Sequence, residues 1–299
     1  MARPSTRAKL WQILILLGSF ALARESGVAA PAENGGSKLG IGDATDGWKQ
    51  EVTDASSTVL HTSDGGRHWV DVSPGALNRA VTKSLAGKVD ELDAVSALCP
   101  INGRRAWLAI RSGRGLLMEY TSDAGRHWKE TSAPITADAV SISFLDETQG
   151  FLLASGSPAA GSMRKTVYRT EDGGRHWRLV AAPNAASYYT TGISFRSPSD
   201  GWITGTYHGG DDAPLYRTSD GGKSWRIQRL KIPANFRGGY ANTYPPVFIG
   251  KEKTRGLMQV KLVRHEPPAD HESWVNYVSE DGGETWHLHK PGEAATPPG

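Results

Sequence analysis

The sequence predicts an all-β chain of five four-stranded antiparallel blades, and three observations carry that reading. An eight-residue phrase recurs five times: TSDGGRHW at 62–69, TSDAGRHW at 121–128, TEDGGRHW at 170–177, TSDGGKSW at 218–225 and SEDGGETW at 279–286. Upstream of each phrase stands a small residue followed by an apolar one: Gly47-Trp48, Ala106-Trp107, Gly150-Phe151, Gly201-Trp202 and Gly256-Leu257. Upstream again are Ile41, Leu98, Phe144, Phe195 and Phe248, within stretches such as VSISF and TGISF whose period of two reads as strand.

Each unit therefore reads strand, turn, strand, loop, strand, Asp-containing phrase, strand. Within the phrase the aspartates (Asp64, Asp123, Asp172, Asp220, Asp281) accept hydrogen bonds from the backbone of their own hairpin tip, and the glycine two positions on supplies a positive φ. The tryptophans (Trp69, Trp128, Trp177, Trp225, Trp286) begin the return strand with a large ring to bury. Successive aspartates are 59, 49, 48 and 61 residues apart, room for one four-stranded unit plus variable loops. Such a unit cannot bury both faces alone, and radial stacking solves this with only short free edges, so a five-bladed β-propeller is expected. Its blades are 38–75, 92–134, 138–182, 190–231 and 244–290. A sixth, divergent blade in 76–92 is the alternative; LNRAVTKSLAGKVDEL reads better there as a loop insertion with helical character.

Composition narrows the function classes. With 38% apolar and 22% charged residues, 35 Gly and 10 Trp, the chain suits a globular repeat protein and not a disordered or fibrous one. Cys99 is the lone cysteine, which excludes an intrachain disulfide and a CxxC redox pair. Arg3, Arg7 and Lys9 precede an apolar run from Ile13 to Ala23 and then small residues, the layout of a secretory signal over 1–32; an uncleaved anchor is the other reading. Residues 33–290 form the propeller domain and 291–299 a loose tail. Removing 1–32 takes away four of the 34 Lys/Arg and one of the 31 Asp/Glu, leaving 30 of each. A mature chain without excess positive charge is not expected to bind nucleic acid, no stable membrane span is expected after cleavage of the signal, and a closed propeller is expected to be a monomer.

The pattern [ST]-x-D-x-G-x-x-W resembles the Asp-box, or bacterial neuraminidase (BNR), repeat. The longer phrase ISFRSPSDGWITGT…LYRTSDGGKSW resembles the photosystem II stability and assembly factor type of propeller, over essentially the whole mature chain. Box two departs with Ala124 at a usual glycine, and blade five with Leu257 at an aromatic position. The architecture carries sialidases, other glycosidases, sorting receptors and assembly factors, so function must come from the site. Sialidases of this kind have an Arg-Ile-Pro near the first blade; the nearest string here is Lys231-Ile232-Pro233, late and without the arginine. The resemblance thus implies an exported, non-enzymatic binder of a protein or carbohydrate, with a glycoside hydrolase as the alternative.

In such a blade the loops from strand 2 to strand 3 and those between blades share the end opposite the Asp boxes. The former are Val52–Ser57, Arg111–Gly115, Ser155–Lys165, Thr206–Pro214 and Leu262–Ser273; the latter are Pro74–Leu92, Ala133–Ala137, Ala182–Thr190 and Pro233–Pro246. Arg111, Arg114, Arg164, His208, Tyr188, Tyr189, Arg237, Tyr240 and Tyr244 make this end a recognition surface, because Arg and aromatic side chains dominate interfaces. Asp93 and Asp138 occupy equivalent places and would serve hydrolysis only as a pair about 5–10 Å apart; their plainer role is turn capping. His287 and His289 alternate on a strand but lack a third ligand, so no metal is expected. No P-loop, dinucleotide fingerprint, GxSxG or HExxH occurs, and no cofactor is expected.

Overall fold

Twenty-one strands occur in the computed structural model, which describes residues 37–40, 45–53, 56–83, 96–112, 115–156, 163–181, 189–208, 212–250, 252–266 and 269–289. The export signal at 1–32, the tail at 291–299, Ile41, Asp93, Arg114 and Tyr188 lie outside these residues. The chain divides into two compact units, Met1–Thr136 and Ala137–Gly299.

The first unit carries two antiparallel meanders. One is β1 (Ser37–Gly40), β2 (Gly47–Thr53), β3 (Ser56–Thr62) and β4 (Val70–Asp71); the other is β5 (Ser96–Pro100), β6 (Ala106–Ser112), β7 (Gly115–Thr121) and β8 (Lys129–Ala133). A helix over Gly75–Lys83 follows β4, so the insertion has the helical character expected and supplies no strand there to a sixth blade. Leu77 and Ala76 are buried against Trp48, Leu108 and Ile110.

The second unit begins with β9 (Ala139–Phe144), β10 (Gly150–Ser155), β11 (Lys165–Thr170) and β12 (Arg178–Ala181). A nine-stranded sheet follows. It contains β13 (Thr190–Phe195), β14 (Gly201–His208), β15 (Asp212–Thr218) and β16 (Arg226–Lys231), then β17 (Tyr240–Thr243), β18 (Val247–Ile249), β19 (Arg255–Glu266), β20 (Ala269–Ser279) and β21 (His287–Leu288).

Why the small residue opens each second strand is visible in the register. Gly150 pairs with Phe144, Gly201 with Phe195 and Gly256 with Phe248. A Cβ on Gly201 would meet the Phe195 ring at 2.6 Å, so the phenylalanine lies flat over bare backbone. The aromatic residue after the glycine then reaches the next meander. Phe151 stacks on Phe195 with centroids 3.5 Å apart, and Trp202 stacks on Phe248 at 4.8 Å and meets Trp286 edge-on at 6.4 Å. In the first unit Trp48 meets Trp128 edge-on, and its indole N–H donates to the Asn102 carbonyl at 2.9 Å.

All five Asp boxes share one hydrogen-bond plan. In the first, Thr62 Oγ1 donates to Asp64 Oδ1, Gly66 N–H donates to Thr62 Oγ1, and His68 N–H donates to Asp64 Oδ1. The box also binds the turn between strands 1 and 2: the amides of Gly65, Ala124, Gly173, Gly221 and Gly282 donate to the carbonyls of Thr45, Arg104, Thr148, Ser199 and Thr254. The box tryptophans are half-buried, shallower than the sequence suggests: Trp69, Trp177 and Trp225 turn the indole N–H back onto a glycine carbonyl of the tip, as Trp177 does to Gly174 O at 3.0 Å, whereas Trp128 donates to Val72 O at 2.8 Å. Full burial belongs instead to the second-strand rings Trp48, Trp202 and Phe151.

In the three boxes that carry Arg-His-Trp the histidine serves the aspartate. His68, His127 and His176 place Nδ1 2.5–2.6 Å from the second carboxylate oxygen of Asp64, Asp123 and Asp172, where Ser224 and Thr285 hydroxyls serve Asp220 and Asp281. These donors, with the backbone amides, hold the Asp172 carboxyl down at about 2. The Asp220 and Asp281 carboxyls also sit at about 2, against the opposing pull of burial.

Four substitutions test this on stability. Trp202→Ala should cost roughly 3–5 kcal/mol in denaturant unfolding, whereas Arg175→Ala, at an exposed tip, should stay within about 0.5 kcal/mol. Ala124 holds φ 65° where the other boxes have glycine, so Ala124→Gly should stabilise by roughly 1 kcal/mol through relief of left-handed strain. The box carboxyls are depressed on folding, so their contribution is complete above about pH 4 and is lost as pH falls through about 2. Asp220→Asn should flatten stability against pH across that window.

Candidate functional site

The end opposite the boxes is more regular than loops in the second unit, and this corrects the sequence reading. The stretches Thr206–Pro214 and Leu262–Ser273 are largely hairpin arms: β14 reaches His208, and β19 and β20 pair continuously from Gly256↔Ser279 to Glu266↔Ala269. The stretch Pro233–Pro246 holds a 3-10 turn at Ala234–Phe236 and then β17, which inserts between β14 and β19. Tyr240 is therefore a strand residue and His208 a strand terminus. YANT lacks apolar alternation, so nothing local marked it; its ladder comes from the long neighbours on both sides.

Period-two geometry divides this sheet into two faces. Ala241, Thr243, Met258, Val260, Leu262 and Tyr277 are buried on one. Burial pushes the Tyr277 hydroxyl up to about 12, and it donates to the Lys231 carbonyl at 2.6 Å. The other face carries Tyr240 opposite Val263 and then Glu272, and, in the next row, Asn242 opposite Lys261 and then Trp274. Tyr244 follows, its amide donating to Gln259 O and its ring 5.4 Å from that of Trp274. Burial, and secondarily the Glu272 carboxylate, push the Tyr244 hydroxyl above its usual range. Lys261 Nζ lies 2.8 Å from Glu272, so the face balances its own charge. Tyr240 and Trp274, each 42% exposed, are the exposed aromatics among the large hydrophobic residues described.

The remaining residues named from the sequence stand elsewhere. Arg111 is half-buried near the end of β6 in the first unit. Arg237 is exposed after the 3-10 turn, and half-buried Tyr189 accepts the Thr206 amide on its carbonyl at 2.8 Å. Arg164 and Asp138 are exposed at the head of β10–β11, where Gly156 N–H donates to Arg164 O and Asp138 N–H to Ser155 O. Asp93, which the sequence pairs with Asp138, is outside the described residues. Beside them Lys165 is buried, donating to the Met163 carbonyl at 2.9 Å, and burial lowers its pKa.

Trp274, Lys261 and Glu272 were missed, though a signal existed. Counting back by twos from buried Tyr277 places Trp274 on the outward parity, and MQVKLV alternates plainly. Among the described residues no three of His, Cys, Asp and Glu converge as a metal site. On the β19–β20 arms Glu266 and Glu272 are ion-paired with Arg264 and Lys261. What the face offers is flat aromatic surface, amides and a neutralised charge pair, which suits recognition.

Comparison with known proteins agrees with the repeat. Residues 119–238 match the family described as photosynthesis system II assembly factor YCF48, and residues 277–288 match the BNR/Asp-box repeat. The chain is an Asp-box repeat protein resembling the YCF48 group. No curated protein matches the sequence. Among solved structures, YCF48 bound to D1 peptide is 14% identical with TM-score 0.43, over 87% of this chain and 88% of that one. TolB from Acinetobacter baumannii is 11% identical (TM-score 0.45; 96% of this chain, 60% of that one), and the polysaccharide lyase Uly1 is 10% identical (0.44; 82% and 58%). This chain therefore spans under two thirds of those last two. The YCF48-like match ends at residue 238, before β17, so the aromatic face lies outside the matched stretch.

The division between faces is testable on stability alone. Tyr277→Ala should cost roughly 3–5 kcal/mol by thermal or denaturant unfolding, while Trp274→Ala should change it by no more than about 0.5 kcal/mol.

Proposed function

We propose that this chain is an exported, non-catalytic propeller, built from residues 33–290, that binds a protein partner through the outward face of β17, β19 and β20. The observation that carries the reading is the placement of Tyr240 and Trp274: both are exposed, and both are on the same face of one sheet. Among the described residues the other Phe, Tyr and Trp rings are buried or half-buried, so two left outside together mark a surface kept for contact. The match to an assembly-factor family supports a protein as partner. Export rests on Arg3, Arg7 and Lys9 ahead of the Ile13–Ala23 run.

Site-specific photocrosslinking tests this. A photoreactive phenylalanine at position 274 of the full chain, expressed in its own host, should give one dominant protein adduct identifiable by mass spectrometry. The same group at 179, an exposed leucine of β12, should give none. No adduct at 274, equal adducts at both positions, or an adduct with glycan in place of protein would overturn the proposal.

A further inference from the structure

The chemistry of the aromatic face narrows what part of a protein it takes. Tyr240 and Trp274 are separated by two strand spacings and one side-chain row, about 12 Å, with Val263 and Lys261 between them. The Lys261 ammonium is engaged by Glu272, so the row between the rings presents a methylene stem and the Val263 methyls, with no unpaired charge. Asn242 flanks it with an amide that both donates and accepts. Tyr244 backs Trp274 at 30° and 5.4 Å and fixes the indole on that side.

Resting on the protein-binding reading above, we propose that the segment held here is an uncharged, proline-rich stretch in the polyproline II conformation, seated on Tyr240 at one side and on Trp274 at the other. Four features favour it. An amphipathic helix needs a continuous apolar groove, whereas the apolar elements here are two separated aromatic platforms with an amide beside them. A polyproline II chain rises roughly 3.1 Å per residue, so three to four residues bridge the two rings and bring one proline to each. Its backbone carbonyls have no internal partner, and the Asn242 amide is placed to donate to one. The internally balanced charge of the face selects against an acidic or basic segment, which would have to break the Lys261–Glu272 pair.

Isothermal titration of the full chain with decaproline is the test, with a Gly-Ser decapeptide and cellohexaose as comparison ligands. Decaproline should bind saturably, with an affinity little changed between low and high salt because no net charge is neutralised. Trp274→Ala should weaken it by at least about tenfold, while Trp274→Phe, which keeps an aromatic platform, should retain most of the affinity. Absence of saturable binding, equal affinity for Trp274→Ala, or equal affinity for the Gly-Ser peptide would overturn the proposal. Tighter binding of cellohexaose would make the face a glycan platform and overturn it too. If decaproline fails while position 274 still crosslinks a protein, the docking face stands and the proline-rich class falls; if both fail, both readings fall together.

Discussion

The contact on which the rest depends is the ring that leaves the second strand of one meander and lies on the next. Phe151 on Phe195 and Trp202 on Phe248 are the two instances in the second unit, and Trp48 against Trp128 is the counterpart in the first. The receiving rings lie where they do because the residue they face is bare: a side chain at Gly201 or Gly256 would fill the space of Phe195 or Phe248, the rings on which Phe151 and Trp202 lie. The glycine and the aromatic are thus one device. The first admits a ring from its own meander, and the second exports a ring to the neighbour.

The Asp box completes that device at the hairpin end. Its threonine or serine, its carboxylate and its left-handed glycines close the tip on itself, and its first glycine or alanine amide ties the tip to the preceding turn. The tie carries the box tryptophan to its neighbours: Trp225 and Trp286 rest edge-on against Phe195 and Phe248. One box also clasps across meanders with charge. Buried Arg217 donates through both terminal nitrogens to Glu284 and lies over Trp202, so the single box carrying an acid where the others carry Arg or Lys turns it inward. The box tips spend their carboxylates and hydroxyls on their own turns, and the exposed aromatics among the described residues stand elsewhere, on β17 and β20.

Repetition made most of the fold legible. Five copies of one phrase located the hairpins, and the glycine-aromatic step located the second strands, because both positions answer to steric needs that recur in each meander. The helix at Gly75–Lys83 was legible as an insertion. The features that occur once were not. Tyr240–Thr243 becomes a strand because β14 and β19 offer it ladders on both sides, a tertiary cause absent from four residues of sequence. That insertion, together with the long β19–β20 arms, turned expected loops into a sheet face. Tyr240 and Tyr244 were singled out for their chemistry, but their neighbour Trp274 was hidden by its proximity to a box motif that explained the other tryptophans. The box tryptophans themselves were placed too deep: all five stand half-buried, and the indole N–H of Trp69, Trp177 and Trp225 is held by a glycine carbonyl of the tip.

The account rests on a division of aromatic labour: rings such as Trp48 and Trp202 are enclosed between meanders, and Trp274 stands outside for a partner. Covalent labelling of tryptophan in the native full chain, quantified residue by residue by mass spectrometry, measures that division directly. Trp274 should react fastest, the half-buried box tryptophans more slowly, and Trp48 and Trp202 only on unfolding. Labelling of Trp202 at the rate of Trp274 would contradict the account.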